Sequence, residues 1–144
     1  ATDVAAIRAE WAGHEFESAE FQIDQDKVVN WALACGETDT RFTDPANPDF
    51  QAHPNFTACL TTKRMLPEGF PKIGSGFGID GGKTVEAHAP VRAGDVLTGR
   101  ASIHDVYDKT GRSGTMVFII QRMDFFNQDG TAVSTVDSKM IRSA

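Results

Sequence analysis

The side chains best suited to chemistry lie close together in one stretch of this chain. Glu37, Asp39 and Asp44 stand among Thr38, Thr40 and Thr43, and His53 follows just ahead of Pro54. Carboxylates with an imidazole nearby are the usual equipment for moving protons, one group acting as base and the other as acid. The stretch begins where an apolar run, Ala32-Leu33-Ala34-Cys35, meets Gly36. Glycine just past a helix is the common left-handed cap, and a loop launched from a rigid helix end is a frequent mount for working side chains. The same residues have a plainer use, since Asp39 and the Asp44-Pro45 pair are good capping and turn formers. His53 either faces a substrate or is an ordinary hydrogen-bonded loop histidine.

Other candidates are weaker. His14 stands alone, and His88 and His104 lie in strand-like segments without paired ligand spacing. No Cys/His cluster has zinc spacing, so no metal is expected. Gly74-Ser75-Gly76-Phe77-Gly78 resembles a phosphate-cradling loop but has no lysine and no strand–loop–helix setting, which leaves a flexible loop with tight turns. Cys35 and Cys59 read as buried thiols of a reducing cytoplasm rather than a disulfide framework.

Composition bounds the rest. The 144 residues fit one domain, 1–144, with 40% hydrophobic and 24% charged residues, as in ordinary globular proteins. A net charge of -6 argues against a nucleic-acid partner, because phosphate binding needs clustered Lys and Arg. No apolar run approaches a membrane span, no signal peptide is expected, and Ala1 is read as following removal of an initiator Met or a tag.

The elements that must position these groups are legible in outline. Val4, Ile7 and Trp11 repeat at helical spacing over Asp3 to His14, and Glu17 to Ile23 suggests a first strand. A helix over Val28 to Cys35, capped by Asp24 or Asp26 and apolar at nearly every position, is expected to be well buried. A second helix is expected from Pro54-Asn55 to Leu66, where Pro67 stops it. Glu68 to Gly82 is rich in Gly and Pro. Strands are then expected over Val85–Val91, Val96–Tyr107, Gly114–Asn127 and Thr131–Ile141, joined by tight turns into an antiparallel meander. Met116 to Ile120 is apolar on both faces, which implies a cover on each side. Helices first and a curved antiparallel sheet afterwards give an α+β fold.

Three segments resemble the MaoC-like (R-specific) enoyl-CoA hydratases and 3-hydroxyacyl thioester dehydratases. The frame Gly36-Glu37-Thr38-Asp39-Thr40-Arg41-Phe42, with Asp44-Pro45 after it, is similar to the family's Gly-Asp-x-Asn-Pro-x-His motif followed by Asp-Pro. Pro90-Val91-Arg92-Ala93-Gly94-Asp95 resembles its Pro-x-x-x-Gly-Asp turn, and Tyr107 to Gly114 its next hairpin. The opening helix with Trp11 and Gly13, and Ala52-His53-Pro54-Asn55-Phe56, resemble the N-terminal, non-catalytic half of double hot-dog dehydratases. The resemblance implies a single hot-dog domain, its antiparallel sheet wrapped around a central helix at Asn55 to Leu66 that Pro67 shortens.

It also implies a chemistry this chain lacks the groups to perform. The family adds water across an enoyl thioester with an Asp and a His, and those positions hold Glu37 and Phe42 here. Phenylalanine transfers no proton, so no catalytic residue is assigned. The chain is expected to be the non-catalytic subunit of a hydro-lyase, paired as a heterodimer or α2β2 heterotetramer with a hot-dog subunit that carries the dyad. It would shape a wide acyl pocket for a bulky, branched, aromatic or sterol-derived group. Substrate contacts are expected at His53, Phe56, Leu60, Phe70 and Phe77, and contacts to CoA phosphates at Arg92, Lys109 and Arg112. The acyl-CoA or acyl carrier protein thioester is the substrate, no cofactor is expected, and the location is cytoplasmic. Two rivals remain: a hot-dog acyl-CoA thioesterase using Glu37, and a hot-dog that binds acyl chains without turnover.

Overall fold

A computed structural model describes residues 2–75 and 77–144; Ala1 and Gly76, the latter expected to leave room in the loop before the sheet, lie outside the described residues. Three α-helices come first, α1 Val4–Trp11, α2 Gln25–Ala34 and α3 Thr40–Thr43, with strand β1, Glu15–Gln22, between α1 and α2. After a 3₁₀ turn at Phe56–Cys59 come β2 Gly78–Ala87, β3 Val96–Gly111, β4 Gly114–Phe126 and β5 Ala132–Ser143. All pairings are antiparallel, in the order β1-β3-β4-β5-β2. The α+β class stands. The meander is confined to β3-β4-β5, because β2 lies at the far edge beside β5 rather than next to β3. Among the described residues no helix is long and apolar enough to cross a membrane.

The period-two pattern of β4 sets the two faces of the sheet. Val117, Ile119, Gln121, Met123 and Phe125 point inward, each at most 3% exposed. Inward residues of the other strands join them in two apolar clusters. One gathers Val28, Phe56, Leu97, Ala101, Phe125 and Val136 beneath α2 and the 3₁₀ turn. The other gathers Ile73, Ile103, Val106, Val117 and Ile119 beneath α1. Gly99 in β3 lets the first cluster close: a Cβ there would come within 3.0 Å of Met123, Phe125 and Phe21, and the Phe21 and Phe125 rings lie 5.9 Å apart across it.

Four expectations need correction. The helix expected from Asn55 to Leu66 is only the turn Phe56–Cys59, and residues 60–75 form no helix or strand. Thr57, Thr61 and Thr62 are β-branched, and the Thr62 hydroxyl donates to the Arg64 carbonyl at 2.8 Å instead of joining a helix. Asn55, at the N-cap, makes no capping bond because its side chain is engaged elsewhere. Helix α2 is less buried than its composition suggests: Val28 and Ala32 are buried, whereas Leu33 is 57% exposed. Cys35 and Cys59 are both exposed free thiols, not buried ones. Finally, the strand expected at Val85–Val91 begins at Gly78 and ends at Ala87, running through a bulge near Gly81-Gly82 that glycine permits.

Candidate functional site

The acidic stretch is positioned by the end of α2. Asp24 starts that helix, accepting the Lys27 N–H at 3.0 Å. Gly36 ends it at φ +75°, with its N–H on the Leu33 carbonyl and the Glu37 N–H on the Ala32 carbonyl, both 3.0 Å. This paired bonding closes the helix and turns Glu37 inward. One carboxylate oxygen of Glu37, Oε1, accepts the Thr38 and Asp39 N–H groups, each at 3.0 Å. The other, Oε2, lies 3.3 Å from Nε2 of His53. The Asp39 N–H, chiefly, holds the Glu37 carboxyl below its ordinary pKa; burial opposes this, and the Thr38 N–H and the imidazole add to it. Asp39 caps α3 through the Arg41 N–H at 2.9 Å, and Asp44 accepts the Ala46 N–H at 2.9 Å, so both serve the local turns.

His53 is held from its other side. Its Nδ1 is 2.6 Å from Oδ1 of Asn55, and the same oxygen accepts the Trp31 indole N–H at 2.7 Å. An indole only donates, which fixes the Asn55 amide with its oxygen toward both rings and makes His53 Nδ1 the donor. The backbone N–H of Asn55, 3.3 Å from Nδ1, is the weaker competitor. The result is one chain of contacts, Trp31–Asn55–His53–Glu37, which ties α2, the loop and the 3₁₀ turn together. Phe42 is buried, 7% exposed, with its ring 5.2 Å from the His53 ring and the Arg41 guanidinium 4.6 Å from its own centroid. An imidazole thus lies beside the Glu37 carboxylate, supplied from sixteen residues further along the chain.

The expected substrate contacts are divided. His53 and Phe56 line a cavity of about 210 Å³, with Thr57, Ala89, Val133 and Ser134. At its floor Ser134 donates to Thr57 at 2.9 Å, both residues buried. Leu60 packs at the margin of the adjoining apolar cluster. Phe70 belongs to a separate cavity of about 220 Å³ with Leu66, Ile73 and Ile119, its ring 5.5 Å from that of Trp11. Phe77 is 69% exposed at the start of β2. Between the two clusters sits Gln121, 1% exposed, whose Nε2 has no partner among the described residues.

The basic residues are divided too. Lys109 and Arg112 share the β3–β4 hairpin. Arg92 lies before the other end of β3, bound to the Phe50 carbonyl at 3.0 Å and the Asp49 carboxylate at 3.2 Å. The fourteen residues from Val96 to Lys109 span about 40 Å of strand, so these cations do not form one site. Among the described residues no group of three or more His, Cys, Asp or Glu is placed to hold a metal ion. Reading along the chain missed Trp31, Asn55, Thr57, Ser134 and Gln121; only Gln121 carried a signal, as a lone amide following the apolar run Met116 to Ile120.

Comparisons with known proteins agree with this architecture. Residues 10–136 match the family model of the FAS1-like, dehydratase domain region. No curated protein sequence matches the chain. Among solved structures, it is similar to the C-terminally truncated HadBC (3R-hydroxyacyl-ACP dehydratase) complex of Mycobacterium tuberculosis, at TM-score 0.69 and 19% identity over 98% of both chains. It resembles the ChsH1-ChsH2 complex of the same organism, at TM-score 0.68 and 18% identity over 97% of this chain and 93% of that one. A MaoC-like dehydratase of Phytophthora capsici gives TM-score 0.67 and 21% identity, covering 97% of this chain but 50% of that one. These likenesses establish the hot-dog fold.

Proposed function

The chain belongs to the family of the FAS1-like dehydratase domain region, and on that premise we propose that it is the non-catalytic subunit of an enoyl thioester hydratase or 3-hydroxyacyl thioester dehydratase. One observation carries this reading. The frame resembling the family's catalytic motif holds a buried Phe42 at the histidine position, and both oxygens of Glu37 are engaged by backbone N–H groups and His53. The dyad that activates water then belongs to a catalytic hot-dog partner, in a heterodimer or an α2β2 assembly. The thioester, on CoA or on acyl carrier protein, is the substrate, and the subunit contributes to its acyl pocket.

The short 3₁₀ turn supports a pocket role, since no helix continues across the sheet beyond Cys59. Leu66, Phe70 and Ile73 fill the α1 end of the groove, so space for a bulky acyl group lies at the end near His53 and Phe56 and is completed by the partner. Hairpin cations Lys109 and Arg112 remain candidates for CoA phosphates, and Arg92 for a separate contact. The exposed, unpaired Cys35 and Cys59 suit a reducing cytoplasm.

The test is enoyl-CoA hydration followed through loss of the conjugated thioester absorbance. The isolated chain is expected to be inactive, and activity should appear when a hot-dog partner bearing Asp and His is added. Turnover by the isolated chain that disappears in Glu37→Gln or His53→Gln would overturn the assignment and place the chemistry on the pair described above.

A further inference from the structure

The outer face of the sheet carries a surface that the proposed reaction leaves unused except at Lys109, which lies over its Tyr107 and Phe118 rings. Cross-strand register places Ile79 beside Ile141, Ile141 beside Phe118 and Phe118 beside Tyr107, an apolar row running across β2, β5, β4 and β3. Tyr107 and Phe118 stack at 5.0 Å and 3°, and Ile79 at the sheet edge is 45% exposed. Gly81 lets the neighbouring side chains lie flat, since a Cβ there would meet Lys139 Cγ at 2.8 Å and Ile141 Cδ1 at 3.0 Å. The adjacent row reads Lys139, Ile120, Asp105 and borders a shallow cavity of about 280 Å³. Beyond it the character changes: Arg122 and Asp137 form a two-point ion pair at 2.8 and 2.9 Å, and Thr135 donates to Asp124 at 3.0 Å. That half is satisfied within the chain. The apolar half is covered within the chain only in part: Lys109 Nζ lies 5.8 Å and 5.3 Å from the Tyr107 and Phe118 ring centroids, and Ile120 is 9% exposed.

We infer that this face packs against the same face of a second copy of the chain. The argument is charge complementarity about β4. Lys139 on β5 and Asp105 on β3 flank Ile120 on opposite sides. A two-fold axis in the interface, parallel to β4 and over Ile120, brings β5 of one copy above β3 of the other. Lys139 then meets the second copy's Asp105, and Asp105 its Lys139. Phe118 and Ile120 meet their own counterparts, and Ile141 meets Tyr107. Such self-complementarity is what an isologous contact requires. Lys139 has no ion pair among the described residues. Asp105 uses Oδ1 for Arg8 at 2.9 Å and for the Val106 N–H, leaving Oδ2 available. Two sheets packed this way lie about 10 Å apart. The patch spans four strands and two outward rows, on the order of 250 Å² per copy. That is below the roughly 800 Å² per partner of a standard interface, so the dimer is weak and dependent on concentration. The inference does not depend on the reaction proposed above.

Sedimentation velocity over a wide concentration range tests it. The unmodified chain should pass from monomer to dimer, and Lys139→Asp and Asp105→Lys should each remain monomeric. An equimolar mixture of the two variants should dimerise again, because every contact then pairs opposite charges. If Asp105→Lys does not fold, Lys139→Asp and Phe118→Gln must each shift the unmodified equilibrium toward monomer. Three results overturn the inference: monomer at every concentration, a dimer that Lys139→Asp leaves intact, or a Lys139→Asp effect seen only on pairing with a catalytic partner. The last would assign the face to that other chain.

Discussion

Replacing Gln121 by leucine should stabilise the isolated chain, although it removes a polar side chain from the middle of the inner row of β4. Gln121 sits in β4 between Ile103 of β3 and Ser138 of β5, with 1% of its surface exposed. Its Nε2 has no hydrogen-bond partner among the described residues. A buried donor without a partner costs about 1–3 kcal/mol, and exchange for an apolar side chain of similar volume relieves that cost. For a domain of this size each kcal/mol moves the melting temperature by about 2–4 °C, so Gln121→Leu should raise it by roughly 2 to 12 °C. Differential scanning calorimetry at neutral pH reads this directly. Gln121→Met, closer in shape and more flexible, should move in the same direction. A fall of more than about 1 kcal/mol in both variants would refute the reasoning, because it would mean the amide is satisfied, for instance by a buried water. The amide lies on the inner face of the sheet, the face that borders the proposed acyl groove. Should Gln121→Leu stabilise the chain but weaken turnover of the reconstituted pair, the unpartnered donor is reserved for an oxygen of the substrate.

Asn55→Ala leaves the Trp31 indole and His53 Nδ1 without their common acceptor, and should cost about 2–4 kcal/mol with a red-shifted tryptophan emission. Phe125→Ala, at a fully buried position, should cost about 3–5 kcal/mol in urea denaturation. Asp137→Asn should cost no more than about 1 kcal/mol, since its pair with Arg122 is about 30% exposed. The pH dependence of Glu37 has a definite sign. Its folded pKa lies below the ordinary 4.5, so its contribution is complete above that value and is lost as pH falls through the lowered one. Melting temperatures of the unmodified chain and Glu37→Gln should therefore differ above pH 4.5 and converge in stronger acid; a difference that persists at the lowest pH would contradict this.

Much of the fold was legible because it rests on local rules. Alternation and Gly-containing turns mark β3, β4 and β5, and the ends of α1 and α2 follow from Asp3, Asp24 and Gly36. What failed were judgements that need a partner in space. Residues 55–66 look helical because Pro54 and Pro67 frame an apolar run. The decision was made instead by Trp31 and His53, which take the Asn55 side chain away from capping. Strand β2 was read too late because Gly78 to Gly82 contribute little apolar pattern, yet their backbone pairs with β5. Burial of Cys35 and Cys59 was inferred from apolar neighbours in sequence, which does not say which way a helix or turn faces.

The candidate site shows the same limit more sharply. Reading a motif in register asks which residue stands at the histidine position, and the answer, Phe42, leaves out what the fold brings beside Glu37. Distance along the chain separates Glu37 from His53 by sixteen residues, and the fold reduces that to 3.3 Å. The contact does not by itself restore a catalyst. Glu37 Oε1 is committed to two N–H groups and His53 Nδ1 to Asn55, so the two remaining atoms face one another rather than the cavity. Opening that contact would free a carboxylate oxygen and a ring nitrogen at the mouth of the cavity beside Phe56. A structural role and a catalytic one therefore differ in a single observable. If the pair only braces the loop, Glu37→Gln and His53→Gln lower stability and leave the reconstituted activity of the assembly unchanged per folded subunit. If it handles protons, both variants lose turnover in the assembly while the chain remains folded.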